Sequence, residues 1–157
     1  MSNGFVLKDA QFTVNTAVGG QTSQTSDVDL SDHVMSVTLN MNPDTPDNTT
    51  MGNVNHTRIS GLKDLSVDVQ FVQDFDSGQV DATLYSLVGG AEFVISVMGN
   101  KTDGIGVTNP MFRGGVVIGT YQPLQGAVGD LSTTTITFQA ATSWFRYTAA
   151  ASNGDLT

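Results

Sequence analysis

The chain has 157 residues and a formal net charge of -9, yet charged residues make up only 13% of it. That length builds one domain with a real core and is short for two, so residues 1–157 read as a single unit. The absence of cysteine excludes disulfides and thiolate chemistry, and six scattered bases (Lys8, Arg58, Lys63, Lys101, Arg113 and Arg146) form no phosphate-gripping patch.

Fourteen of the fifteen acids are Asp, with Glu92 the exception. The polar surface must therefore come from Thr, Ser, Asn, Gln and Gly, a composition that favours strands and turns over helices. The opening MSNGFVLKDAQ has neither a basic nor an apolar signal-peptide region, and no apolar run approaches the roughly 18 residues of a membrane span. The expectation is a protein made in a cytoplasm, with no membrane partner.

FVLKDAQFTV at 5–14 reads as a first strand. NTAVGGQTSQTSD at 15–27 is a Gly and Ser/Thr loop. VMSVTLNMN at 34–42 alternates cleanly, with Met35, Val37, Leu39 and Met41 on one side and Ser36, Thr38, Asn40 and Asn42 on the other. PDTPDNTTMGNVNHTRISG at 43–61 has no period of either kind. A structureless connection of that length is uncommon without a function, and it joins two strands of like pattern as an extended hairpin does.

LSVDVQFVQDF at 65–75 is the clearest strand. Leu65, Val67, Val69 and Phe71 form its buried side, and Ser66, Asp68 and Gln70 its wet side. From 74 to 90 the period changes: Val80, Leu84, Leu87 and Val88 stand at helical spacing, with Asp76 or Ser77 as N-cap and Gly89-Gly90 as the stop. AEFVISVM (91–98), MFRGGVVIGTYQP (111–123) and DLSTTTITFQA (130–140) complete the strands. In the last, Ile136 and Phe138 point to the core while Thr135, Thr137 and Gln139 face away. SWFRYTAAASNGDLT reads as a polar, fraying tail. The whole is mainly β: an antiparallel β-sandwich or open barrel with one flanking α-helix, its core built on Val37, Leu39, Val67, Val69, Phe71, Leu84, Ile136 and Phe138.

Catalytic and metal chemistry find no purchase. His33 and His56 lack the partners a zinc site needs and read as solvated loop histidines. Asp74, Asp76, Gly78 and Asp81 imitate a calcium loop, but Gly78 and Tyr85 stand where oxygen ligands belong. Asp27, Asp29 and Asp32 form a charged turn ahead of a strand. No nucleophile elbow, phosphate loop or dinucleotide fingerprint occurs, and one Glu with one Trp is a poor start for a glycosidase cleft. The expectation is no enzyme, no metal and no cofactor.

Three segments in order carry a family resemblance: DLSDHVMSVTLNMN (29–42), RISGLKDLSVDVQFVQDFDSGQVDATLYSLVGG (58–90) and NPMFRGGVVIGTYQPLQGAVGDLSTTTITF (109–138). Together they resemble the tail tube protein, or major tail protein, of long-tailed bacteriophages. The resemblance implies a virion protein that forms hexameric rings, stacked into a tube for genome passage. Its partners are further copies of itself and other tail proteins (tape measure, tail tip and terminator), with DNA as non-specific cargo. Lumen-facing candidates are then Ser36, Thr38, Asn40, Ser66, Asp68, Gln70, Thr135, Thr137 and Gln139, where small polar and acidic groups let DNA slide. The 43–61 loop, with Asp44, Asp47, Asn48, Met51, Asn53, His56 and Arg58, would reach the adjacent ring or subunit.

The bland alternative is that the polar faces are ordinary surface and the acidity only confers solubility. Rival functions are a head-decoration or adhesin-like β-sandwich binding module, the tube of a contractile injection system, and a small jelly-roll hydrolase.

Overall fold

Alternating burial organises most of the chain in the computed structural model, which describes residues 7–16 and 27–149. Seven strands form one antiparallel sheet in the order β2-β1-β5-β6-β7-β4-β3. They are β1 (Gln11–Asn15), β2 (Asp27–Asp29), β3 (Val34–Pro43), β4 (Lys63–Val72), β5 (Phe93–Met98), β6 (Met111–Gln125) and β7 (Thr133–Tyr147). A short helix, α1 (Val80–Leu84), precedes β5.

The sheet closes over its own core because the two long strands serve both halves. Along β6 only Met111–Val116 pairs with β5, and along β7 only Thr133–Gln139 pairs with β4. Between them the β6–β7 hairpin breaks register at Gly114/Val116, Ile118/Thr120 and Gln122/Gln125. Each break bends and twists the ribbon. The rings of Phe12 in β1 and Phe71 in β4 consequently meet edge to face at 5.3 Å, although these strands are four places apart in the sheet order. This is a mainly antiparallel β fold with one short helix, within the sandwich or open barrel that the pattern predicts.

Val67, Val69, Phe71, Leu84, Ile136 and Phe138 are fully buried, while Val37 and Leu39 on the edge strand β3 are half-buried against that core. A fully buried side chain of this size contributes about 1.5–3 kcal/mol.

The break at Gly114/Val116 has a local cause. Gly114 lies directly beneath the indole of Trp144, and a Cβ there would enter the ring. At Gly115 the backbone N–H donates to the Thr142 hydroxyl at 3.1 Å, and a Cβ would again collide with Thr142. Both glycines are thus required by close approach rather than by backbone angle. Gly114→Ala is expected to cost about 3 kcal/mol, the upper end for overpacking, as a lowered urea midpoint with an unchanged slope. An unshifted midpoint would show that the indole has room to move.

Several boundaries differ from the sequence reading. The first strand begins at Gln11 rather than residue 5, with residues 1–6 outside the described set. The 15–27 loop ends in an unforeseen strand, β2, and its residues 17–26 also lie outside. β7 continues through SWFRY to Tyr147, so that stretch is strand and not tail.

The helix is shorter than 74–90. Gln79 is its N-cap, not Asp76 or Ser77, and no side chain caps it. The preceding residues are committed elsewhere: the Asp74 carboxylate accepts the Asp76 N–H at 2.9 Å, and the Asp76 carbonyl accepts the Gln79 N–H at 3.1 Å. A 3-10 turn, Tyr85–Leu87, extends α1 to Gly89, whose φ of 71° suits a glycine stop. The helix is pinned to β6 by the Tyr121 hydroxyl, which donates to Asp81 at 2.6 Å. Burial, aided by that carboxylate, pushes the Tyr121 phenol up to about 12.

Candidate functional site

The nine residues expected on wet strand faces converge on one face of the β3-β4-β7 sheet. Ser36 lies opposite Gln70, and Gln70 opposite Thr135; the next row is Thr38, Asp68 and Thr137; the third is Asn40, Ser66 and Gln139. Directly opposed residues share a face, so pairing alone builds a three-by-three polar grid. β6 extends it by a fourth column the sequence reading did not include, placing Gln122 beside Thr135, Thr120 beside Thr137 and Val117 beside Gln139.

The grid is internally bonded. Asp68 accepts the Thr137 hydroxyl at 2.7 Å and the Asn40 amide at 2.9 Å, while Thr135 donates to Gln125 at 3.1 Å. Among the twelve positions of the grid Asp68 is the sole charge and none is basic; one row further, Asp64 lies opposite Asn42. The surface offers hydrogen bonds without cationic attraction.

This four-stranded layer has two open edges. β3 pairs only with β4, and β6 has no partner on its other side after Val116 among the described strands. Exposed edges of this kind invite pairing with another chain.

From one end of β3 and β4 projects an arm, residues 44–62, exposed throughout. The expected extended hairpin is real: Asp44 N–H bonds the Leu62 carbonyl (2.7 Å), Ile59 N–H that of Pro46 (3.1 Å) and Asn48 N–H that of Thr57 (3.0 Å). Gly61 permits the narrow base, since a Cβ there would come within 2.9 Å of the Asp44 Cβ. Asp47 ties the outer part together. It accepts the Thr49 N–H at 2.8 Å and faces His56 Nδ1 at 3.1 Å. The Thr49 hydroxyl and N–H, then His56, hold its carboxyl below the usual carboxylate range. Asp47 and Arg58 form an antiparallel bridge, Asn53 closes the tip by bonding Thr50, and Met51 and Val54 stand fully exposed there.

The remaining titratable groups are structural. His33 lies in a half-buried 3-10 turn and reaches Asp74 at 3.1 Å, so it is not the solvated loop residue expected. Asp29 meets Lys101 at 2.6 Å. Burial alone would raise the Asp29 carboxyl, but Lys101 and Ser31 outweigh it and hold it low. Asp27 accepts the buried Arg113 guanidinium at 2.9 Å. Among the described residues no group of three His, Asp or Glu is placed to hold a metal ion.

No protein-family model and no characterised sequence matches the chain. Its fold is nevertheless shared by solved structures. The tail of an empty gene transfer agent particle, refined with C6 symmetry, superposes with a TM-score of 0.66 at 15% identity, covering 95% of this chain and 100% of that one. The SPP1 tail tube superposes with a TM-score of 0.73 at 9% identity, covering 94% and 81%. The sheath/tube terminator of an extracellular contractile injection system gives 0.65 at 10%, covering 92% and 97%. At these identities the likeness is one of fold: this chain has the tail-tube fold.

Proposed function

We propose that this chain is the subunit of a tail tube, a non-enzymatic structural protein of a virion, made in the host cytoplasm and polymerised into a conduit for DNA. The observation that carries the reading is the polar, base-free grid on a four-stranded layer whose two edges are open. Joining β3 of one copy to the outer half of β6 in the next is a heterologous contact, which generates a ring when the rotation between copies closes. The C6 symmetry of the gene transfer agent tail supports six copies per ring. Six such layers give a barrel of about 24 strands, wider than the 16–18-stranded barrels that already hold water channels. The grid then lines the lumen, where Asp68 repels phosphate and the amides and hydroxyls stay wet. The arm reaches the adjacent ring, and tape-measure, tip and terminator proteins meet the tube at its ends.

Electron microscopy of the purified protein at high concentration tests this: stacked rings or tubes are expected, and a persistent monomer or trimer at every salt and concentration overturns it. The lumen assignment has its own test. Ser36→Lys with Gln122→Lys puts two cations per subunit on the exposed rim of the grid. Tubes of this variant should retain duplex DNA, with retention falling steeply as salt rises, while wild-type tubes retain none. Equal retention by both places the grid elsewhere than the lumen.

A further inference from the structure

A notch opens at the base of the arm. β4 follows β7 only as far as Gln139, and beyond it Ala140–Tyr147 pairs with β6 alone. The strands part around a groove of about 660 Å³ whose lining includes Met41, Leu65, Phe112 and Trp144, with Lys63, Asp64 and Arg146 as its charged residues. One side is therefore a free strand edge. The Trp144 indole N–H, buried in the same wall, has no acceptor among the described residues.

The β6–β7 turn stands at the opposite end of the same ladder. Between Thr133 and Thr142 the strand advances nine residues, about 30 Å. The turn is unusually apolar for a solvated tip: Leu124 is 76% exposed, Leu131 64% and Val128 completely. Asp130 is the only charged residue between Arg113 and Arg146, a stretch of sequence that includes the whole turn.

We propose that the notch receives the β6–β7 turn of a second copy of this chain, stacked end to end. The inference rests on the tube reading and specifies its axial contact. Copies stacked head to tail bring one end of the ladder against the other, which sets turn against notch. Val128 then covers the Met41 and Trp144 surface, and Asp130 comes between Lys63 and Arg146, two of the chain's six bases. The arm leaves from the notch end, so it passes outside the next copy and leaves the notch open for the turn.

The chain lacks cysteine, so paired thiols report the contact without background. In the variant Met41→Cys with Val128→Cys both sites are exposed and the core is untouched. Its preformed tubes are treated with a short bismaleimide, whose reach exceeds the Cα separation of about 4.4–6.8 Å that a disulfide demands. The expected result is a ladder of covalent oligomers beyond the dimer on a denaturing gel, and none from either single variant. Two results overturn the inference while leaving the tube intact. One is tubes of this variant that yield only monomers; the other is a ladder from Met41→Cys with Met51→Cys instead, which puts an arm in the notch. If the wild-type chain forms neither rings nor tubes, the tube reading itself fails and takes this contact with it.

Discussion

Arg113→Met is expected to lower stability by about 3–5 kcal/mol, the loss seen when one partner of a buried ion pair is removed. Arg113 is 2% exposed at the side chain and Asp27 11%, so neither charge is well solvated. The guanidinium spans three strands: from β6 it bonds Asp27 of β2 at 2.9 and 3.4 Å and the Ser96 hydroxyl of β5 at 2.5 Å. Asp27 also accepts the Thr13 hydroxyl of β1 at 3.3 Å. Truncating Arg113 leaves a carboxylate in a site built for a cation. With a urea slope of about 2 kcal/mol/M, the midpoint should fall by roughly 2 M. Arg113→Met with Asp27→Leu should recover part of the loss, since no charge is then stranded. A loss below about 1 kcal/mol for the single variant would show that water reaches Asp27.

Replacing residues 47–58 by Asn-Gly, which closes Pro46 onto Ile59 through a tight turn, should abolish tube formation and leave the subunit folded. All twelve residues are exposed, so stability should move by no more than about 0.5 kcal/mol. Assembly is another matter. Met51 and Val54 are 106% and 97% exposed, and burying each in a neighbour is worth about 1.5 kcal/mol or more. Losing both raises the critical concentration for polymerisation by more than about a hundredfold. Sedimentation against concentration measures this directly. Tubes at the wild-type concentration would remove the arm from the assembly contacts.

The parts of this structure that were legible in sequence share one property: a strand with one face buried and one wet. β4 is the clearest case, and β3 and the first half of β7 follow. Their registers then place Ser36, Gln70 and Thr135 side by side, which no single strand could reveal. β6 supplies the fourth column only because the bulge at Ile118/Thr120 shifts its phase between Val117 and Thr120, so simple alternation misassigns it. The Ala-Ala-Thr-Ser stretch at 140–143 carries no strong apolar alternation, and SWFRY reads as tail because its partner, the start of β6, is some thirty residues upstream. In sequence Arg113 is one scattered base among six. Its role depends on Asp27, 86 positions away, and local periodicity carries no information about such a pair.

The shared β6–β7 hairpin has a mechanical consequence. Because both layers hang on the same two strands, sliding one layer over the other would require breaking that ladder lengthwise, with many bonds strained at once. The subunit should therefore deform little. The arm, by contrast, is a two-strand ribbon with water on both sides and few backbone bonds across it. A polymer of such units would bend at its joints, the arms acting as springs between rigid segments, so its persistence length would be set by the contacts between copies, residues 44–62 among them, rather than by the core.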